Sequence, residues 1–219
     1  MKMSTKVFIG TPTIDQKVNV GYLYTIFNMN SLLPEIETSL FIVGGNSLIT
    51  DARNRIFSVF ASNKEDYLLF LDSDVEVPVE AIKKIVSFKK DIVGIPISKK
   101  NYVNPTPNIG NALSKIDKDG LMEVDGMSTA IMLISRKVVE TFIKDADVYT
   151  ESVNDLINTT NINQPKIYDV FKVFSENGKY WYEDYYFCHQ ARTKYGFKVY
   201  AYMNTVTNHY GTVPFTYKF

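Results

Sequence analysis

The N-terminal half of the chain alternates short apolar runs with segments whose apolar residues recur at helical spacing. That alternation restricts it to a layered α/β sheet built from βαβ units. Val7-Phe8-Ile9-Gly10 reads as a buried strand that stops at Thr11-Pro12-Thr13-Ile14-Asp15, where proline and small polar residues break the pattern. A second run at 39–43 ends at Gly44-Gly45. Ile49, Ala52, Ile56, Val59 and Phe60 then recur at helical spacing, which places Thr50, Asp51, Arg53 and Asn54 around the first turns of an amphipathic helix. Tyr67-Leu68-Leu69-Phe70-Leu71 is a continuous apolar strand running into Asp72-Ser73-Asp74. Pro78 and Glu80 suit the start of the next helix, Lys89 and Lys90 its end, and 91–97 reads as another strand.

Beyond Ile97 the alternation loosens. A proline loop at 104–107 precedes a strand-like segment at 126–135 and a helix at 136–144. The polar stretch 145–165 reads as a loop or lid. A strand pair around 167–174 and 178–182, a helix at 183–195 closed by Gly196, and a strand at 198–203 complete the pattern.

The chain has 219 residues, near the upper size of one hydrophobic core, so a single domain is expected. Its 24 Lys plus Arg balance 24 Asp plus Glu, which argues against a dedicated nucleic-acid binder. Cys188 is the single cysteine, so no internal disulfide forms and a reducing cytoplasm fits. No apolar run reaches the length of a membrane span, and the one near the N-terminus is too short for a signal peptide.

Three groups of residues could carry chemistry. A buried strand delivering Asp72 and Asp74 at its C-terminal end puts both at the crevice where open α/β sheets bind ligands. Their mutual repulsion is relieved by a hard divalent cation. Glu183 and Asp184 stand at a helix start among Trp181, Tyr182, Tyr185 and Tyr186, where burial raises a carboxyl pKa toward that of a general base; the helix dipole alone also favours acids there. His209, one of two histidines, lies in the polar segment after the last strand, and with two aspartates would favour Mn²⁺ over Mg²⁺. His189 and Cys188 read as packing residues.

In their order along the chain these segments resemble the GT-A fold glycosyltransferases, which move a sugar from a nucleotide donor. The likeness rests on Thr11 to Asp15, Asp51-Ala52-Arg53-Asn54, Asp72-Ser73-Asp74, Asp125 to Ala130, Glu183-Asp184 and His209. In compact length it looks most like small virus-encoded or bacterial members. The resemblance implies a mostly parallel sheet flanked by helices, with a nucleotide-binding half at about 1–100 and an acceptor and catalytic half at about 101–219. It implies that Thr11 and Asp15 lie near the nucleoside and that Arg53 approaches the base, ribose or diphosphate. Asp72, with Ser73, would face the ribose or the metal, and Asp74 and His209 would bind Mn²⁺ or Mg²⁺. Residues 126–130 would flank the donor sugar, and Asp184, or else Glu183, would be the base of an inverting transfer from a UDP-sugar to a glycan hydroxyl.

Two rivals follow from the same residues. A haloacid-dehalogenase-like phosphatase also uses an apolar strand followed by Asp-x-Asp, but its motif normally opens the fold and carries Thr or Val where this chain has Glu76. A non-catalytic module that binds a glycan or nucleotide sugar needs the pocket without the chemistry.

Overall fold

The computed structural model describes residues 4–100, 106–150 and 166–211. In chain order the elements are β1 (Thr5–Thr13), α1 (Val20–Leu32), β2 (Ile36–Gly44), α2 (Ile49–Ser62), β3 (Tyr67–Leu71), β4 (Val75–Glu76), α3 (Val79–Ser87), β5 (Ile92–Gly94), β6 (Leu121–Val124), β7 (Ile131–Ser135), α4 (Arg136–Phe142), β8 (Val148–Tyr149), β9 (Ile167–Tyr168), β10 (Phe174–Glu176), β11 (Lys179–Trp181), α5 (Glu183–Thr193), β12 (Val199–Tyr202) and β13 (Asn208–His209).

Seven strands form the central sheet in the order β2-β1-β3-β7-β5-β12-β6. β1 pairs parallel with β2 and β3, and β12 pairs parallel with β5. β7 runs antiparallel between β3 and β5, and β6 antiparallel to β12, so β7 and β6 alone oppose the common direction. This is the mixed, mostly parallel α/β sheet expected. β5, from the first half of the chain, lies between β7 and β12 from the second, so both halves share one sheet.

Side-chain alternation along the strands divides the core between two faces. Val7, Ile9, Leu69, Leu71, Ile131 and Leu133 pack with Tyr22 and Met29 of α1 and with Ile82 and Ile85 of α3. Phe8, Leu68, Phe70, Met132 and Ile134 pack with Phe57 and Phe60 of α2, Phe142 of α4 and Phe187 of α5. The central strands β3 and β7 are buried on both faces, which is why they read as continuous apolar runs.

Several expectations are corrected. β1 does not stop at Gly10 but continues through Pro12 to Thr13. β3 flanks it only from Val7 to Gly10, so Pro12 sits beside one pairing partner, β2, where its missing N–H is tolerated. Helix α1 leaves no amphipathic stripe in the sequence because its apolar residues are spread around its circumference: Val20, Tyr24 and Phe27 are exposed while Tyr22 and Met29 are buried. The segment at 126–135 is strand only from Ile131, and the strand before it, β6, lies upstream. Strand pairing in the second half is β8 with β9 and β10 with β11, not one pair spanning 167–182. Most of the expected lid, 151–165, and Asn104 and Pro105 of the proline loop lie outside the described residues.

Candidate active site

The Asp72-Ser73-Asp74 turn leaves the C-terminal end of β3 and is anchored from three directions. The Asp72 N–H donates to the Ala130 carbonyl at 2.9 Å, and the Ser73 and Asp74 carbonyls accept from the N–H groups of Asn19 and Tyr210 at 2.8 Å each. These bonds point the two carboxylates at different partners.

Asp72 faces α2. Arg53 donates from Nη1 and Nη2 to the two oxygens of Asp72, each at 3.1 Å, and from Nε to Glu183 at 3.4 Å. Arg53 is only 3% exposed and lies over the Phe70 ring, 5.3 Å from its centroid. Arg53, which the resemblance places toward the donor, is a buried cation joining the end of β3 to the start of α5. A planar guanidinium can satisfy two acids from one position, whereas an unpaired charge at that depth would be strongly disfavoured.

Asp74 faces Lys100 and His209. Lys100 Nζ is 2.6 Å, and His209 Nε2 3.4 Å, from the same Asp74 oxygen. Burial works to raise the Asp74 pKa, but the hydrogen bonds and charges of His209 and Lys100 overcome it and hold the carboxyl at about 2. His209 reaches this position because β13 pairs with β4, setting His209 opposite Val75. Its Nδ1 lies 2.7 Å from the Ser98 carbonyl oxygen, which can only accept, so Nδ1 carries a proton. In the neutral ring the Nε2 lone pair then faces the carboxylate, an arrangement satisfied by a shared proton or a shared cation. Among the described residues no three His, Cys, Asp or Glu side chains converge to hold a metal unaided. The Asp74 carboxylate and the His209 imidazole are donor types that a divalent cation accepts.

Glu183 and Asp184 open α5 and differ in environment. Glu183 is paired with Arg53. Asp184 is buried and accepts the Tyr185 backbone N–H at 2.8 Å. Burial, reinforced by the Glu183 charge, pushes its carboxyl up to about 7. Both acids line a cleft of about 520 Å³ together with Lys99, Asn108, Tyr180 and Tyr182. Asn108 accepts from the Tyr185 hydroxyl at 3.3 Å.

The remaining expected residues are spread around these groups. Thr11 is fully buried and its hydroxyl pairs with that of Tyr22 at 2.8 Å, so it frames the end of β1 instead of presenting a polar group. Asp15 lies on the exposed loop after β1 and accepts the Lys17 N–H at 3.2 Å. Residues 127–130 are buried, and the space beside Gly126 is filled by Tyr185: a Cβ there would stand 2.8 Å from the ring.

Asn54 carries a role that sequence reasoning did not assign. From the buried side of α2 it accepts the N–H groups of Val170 and Phe171 at 3.0 and 2.7 Å and donates to Asp169 at 3.0 Å. One turn on, Ser58 accepts the Tyr168 N–H at 2.8 Å. Polar residues at helical spacing within an otherwise apolar face, Asn54 and Ser58, were the available signal.

No protein-family model matches the chain, and no curated protein matches it. Among solved structures the similarity extends along most of the molecule for A197 from STIV, with 16% identity, 95% of this chain and 86% of that chain covered, and a TM-score of 0.58. The chain shares the A197 fold. Looser similarities are to TarS 1–349 from S. aureus, solved with UDP-GlcNAc (12% identity, 65% of this chain and 48% of that chain, TM-score 0.40), and to the inositol-1-phosphate CTP transferase from T. maritima (10% identity, 95% and 89%, TM-score 0.40). Among the described residues no helix is long and apolar enough to cross a membrane.

Proposed function

We propose that the protein is a glycosyltransferase that moves a sugar from a nucleotide-diphosphate donor, UDP-linked, to a glycan hydroxyl with inversion. The observation that carries this is the division of labour among the four acids. Arg53 pairs with both Asp72 and Glu183, Asp74 faces His209, and Asp184 is left buried with its carboxyl at about 7. A carboxyl that titrates near neutrality is matched to accepting a hydroxyl proton.

In the proposed reaction Asp184 takes the proton of the acceptor hydroxyl as that oxygen bonds to the anomeric carbon of the donor sugar. The bond to the nucleoside diphosphate breaks on the opposite side, and its electrons leave with the phosphate. Asp74 and His209 would hold Mn²⁺, which when bound supplies Lewis-acid stabilisation of charge on the departing diphosphate. Lys100, beside Asp74, adds a further cation. Asp15 and Ser73 would lie toward the nucleoside. Glu183 is less available to the acceptor because its carboxylate is committed to Arg53. The same reasoning disfavours a phosphatase nucleophile at Asp72, both of whose oxygens are held.

The test is thermal denaturation against UDP, GDP, CMP and dTDP sugars, each with and without Mn²⁺, since a ligand that binds the native state raises its melting temperature. Stabilisation by UDP-sugars only with Mn²⁺ is expected. No response to any nucleotide sugar would refute the proposal.

A further inference from the structure

The hairpin leading into Glu183 and Asp184 carries a pair of aromatic rings on the cleft. Asn177 and Gly178 both have positive φ, 49° and 75°, the signature of a two-residue type I′ turn. The turn fixes the register of β10 against β11, with Phe174 opposite Trp181, Ser175 opposite Tyr180 and Glu176 opposite Lys179. Alternation then separates the β11 side chains. Trp181 turns to α5, its ring 4.5 Å from that of His189, and Lys179 Nζ lies 3.5 Å over the Trp181 ring. Tyr180 points the other way and meets Tyr182 edge to face, with ring centroids 4.9 Å apart and an interplanar angle of 74°.

Tyr180 and Tyr182 are 53% and 60% exposed, and with Lys179 and Trp181 of the same hairpin they line the cleft that holds Asp184. We infer that this tyrosine pair forms the subsite for the acceptor sugar, one ring giving its face and the other its edge to a pyranoside whose C–H bonds gather on one face, as in β-linked glucosides and galactosides. An aromatic face and an apolar sugar face exclude water from each other, while the hydroxyls around the ring edge stay free to reach Asp184, Asn108 and solvent. The inference rests on the transferase reading of this cleft and deepens it by naming the acceptor class. The rings belong to the acceptor side and not to the nucleobase, because the cleft they line includes Glu183 and Asp184 but neither Asp72, Asp74, His209 nor Asp15. The mutual edge-to-face contact and the short turn hold both rings in place before a ligand arrives, which reduces the ordering cost of binding.

The experiment is saturation-transfer NMR on the whole chain with methyl β-glucoside, methyl β-galactoside and methyl β-N-acetylglucosaminide, in the presence of UDP and Mn²⁺. At least one glycoside is expected to receive saturation on its C–H face. That signal should fall about fivefold to tenfold in Tyr180→Ala and in Tyr182→Ala, and remain in Tyr182→Phe, which keeps the ring. Tyr24→Ala, which removes an equally exposed ring on α1, is the control and should change nothing. The substituted side chains are exposed, and melting curves verify that the variants fold.

The inference is overturned if no glycoside responds to the wild type, if the response is the same in the alanine variants, or if the variants lose the UDP signal instead. The donor melting assay separates the two claims. Nucleotide stabilisation with tyrosine-independent glycosides removes the subsite and leaves the transferase. Tyrosine-dependent glycosides with no nucleotide response remove the transferase and leave a glycan-binding cleft.

Discussion

Arg53 and Asp72 form a two-pronged ion pair beneath the cleft, with Nη1 and Nη2 each 3.1 Å from its own carboxylate oxygen. The pair ties α2 to the end of β3, and the third Arg53 contact, to Glu183, extends the tie to α5. Three elements that converge on the site are thereby held by one side chain. Truncating a buried partner leaves the others charged and uncompensated. Arg53→Ala is accordingly expected to cost about 3–5 kcal/mol of stability. Arg53→Lys should recover only part, because an ammonium cannot reproduce the fork. Urea denaturation measures both, and an unchanged midpoint for Arg53→Ala would show that the pair contributes no net stability.

Asp184 makes stability and activity respond to pH in opposite directions. Its carboxyl sits at about 7 in the folded protein against an ordinary value of 3.8. Between those values the native state retains a proton that the unfolded chain has lost, so this group's contribution to stability falls as pH rises from about 4 to about 7 and then levels. Asp184→Asn should flatten that part of the melting-temperature profile. Transfer by the wild type should rise through the same window as the base ionises, while Asp184→Asn should bind donor normally and transfer slowly. A wild-type profile that is level from pH 4 to pH 7 in both measurements would remove Asp184 as the base.

His209 owes its raised pKa first to the Asp74 hydrogen bond. Asp74→Asn should therefore move the His209 ring titration down toward its ordinary value of 6.5, read by NMR of the ring nitrogens. The same substitution should abolish the Mn²⁺-dependent part of nucleotide-sugar stabilisation, and His209→Ala should weaken it. Full retention of Mn²⁺ dependence in Asp74→Asn would move the metal elsewhere.

Asn54 satisfies two backbone N–H groups in the segment after β9. Asn54→Ala leaves them buried without an acceptor, at a cost of about 1–3 kcal/mol for each unsatisfied group. Hydrogen exchange at the Val170 and Phe171 amides should accelerate well beyond that elsewhere in the core. Unchanged exchange there would mean that the segment is held by its apolar contacts alone.

The legible parts of this chain were those written in local periodicity. The Tyr67–Leu71 strand, the helix beginning at Ile49 and the helix beginning at Glu183 follow from spacing within about a dozen residues, and all three are present. Asp72-Ser73-Asp74 was legible as a strand-end turn for the same reason. Helix α1 was not, because apolar residues around its whole circumference leave no stripe to detect. The hairpin turn at Asn177-Gly178 did carry a local signal, since Asn-Gly is the favoured pair for a type I′ turn; the Tyr180–Tyr182 pairing beyond it depends on how the rings meet in space.

The sequence by itself determined the apolar strands and amphipathic helices of the first hundred residues, α1 excepted, and placed its acidic pairs at element ends, because hydrophobic periodicity is a property of neighbouring residues. Only the tertiary structure decided which charges meet. Arg53 and Glu183 are 130 positions apart, and nothing local distinguishes an arginine that reaches a ligand from one that locks two acids beneath the cleft. Asp72 and Asp74, two residues apart, part company because the turn between them is held by Ala130, Asn19 and Tyr210. His209 becomes a neighbour of Asp74 because a two-residue strand pairs with β4. Burial then separates the Asp184 carboxyl from its ordinary titration, an effect of dielectric and neighbouring charge that exists only once the chain has folded.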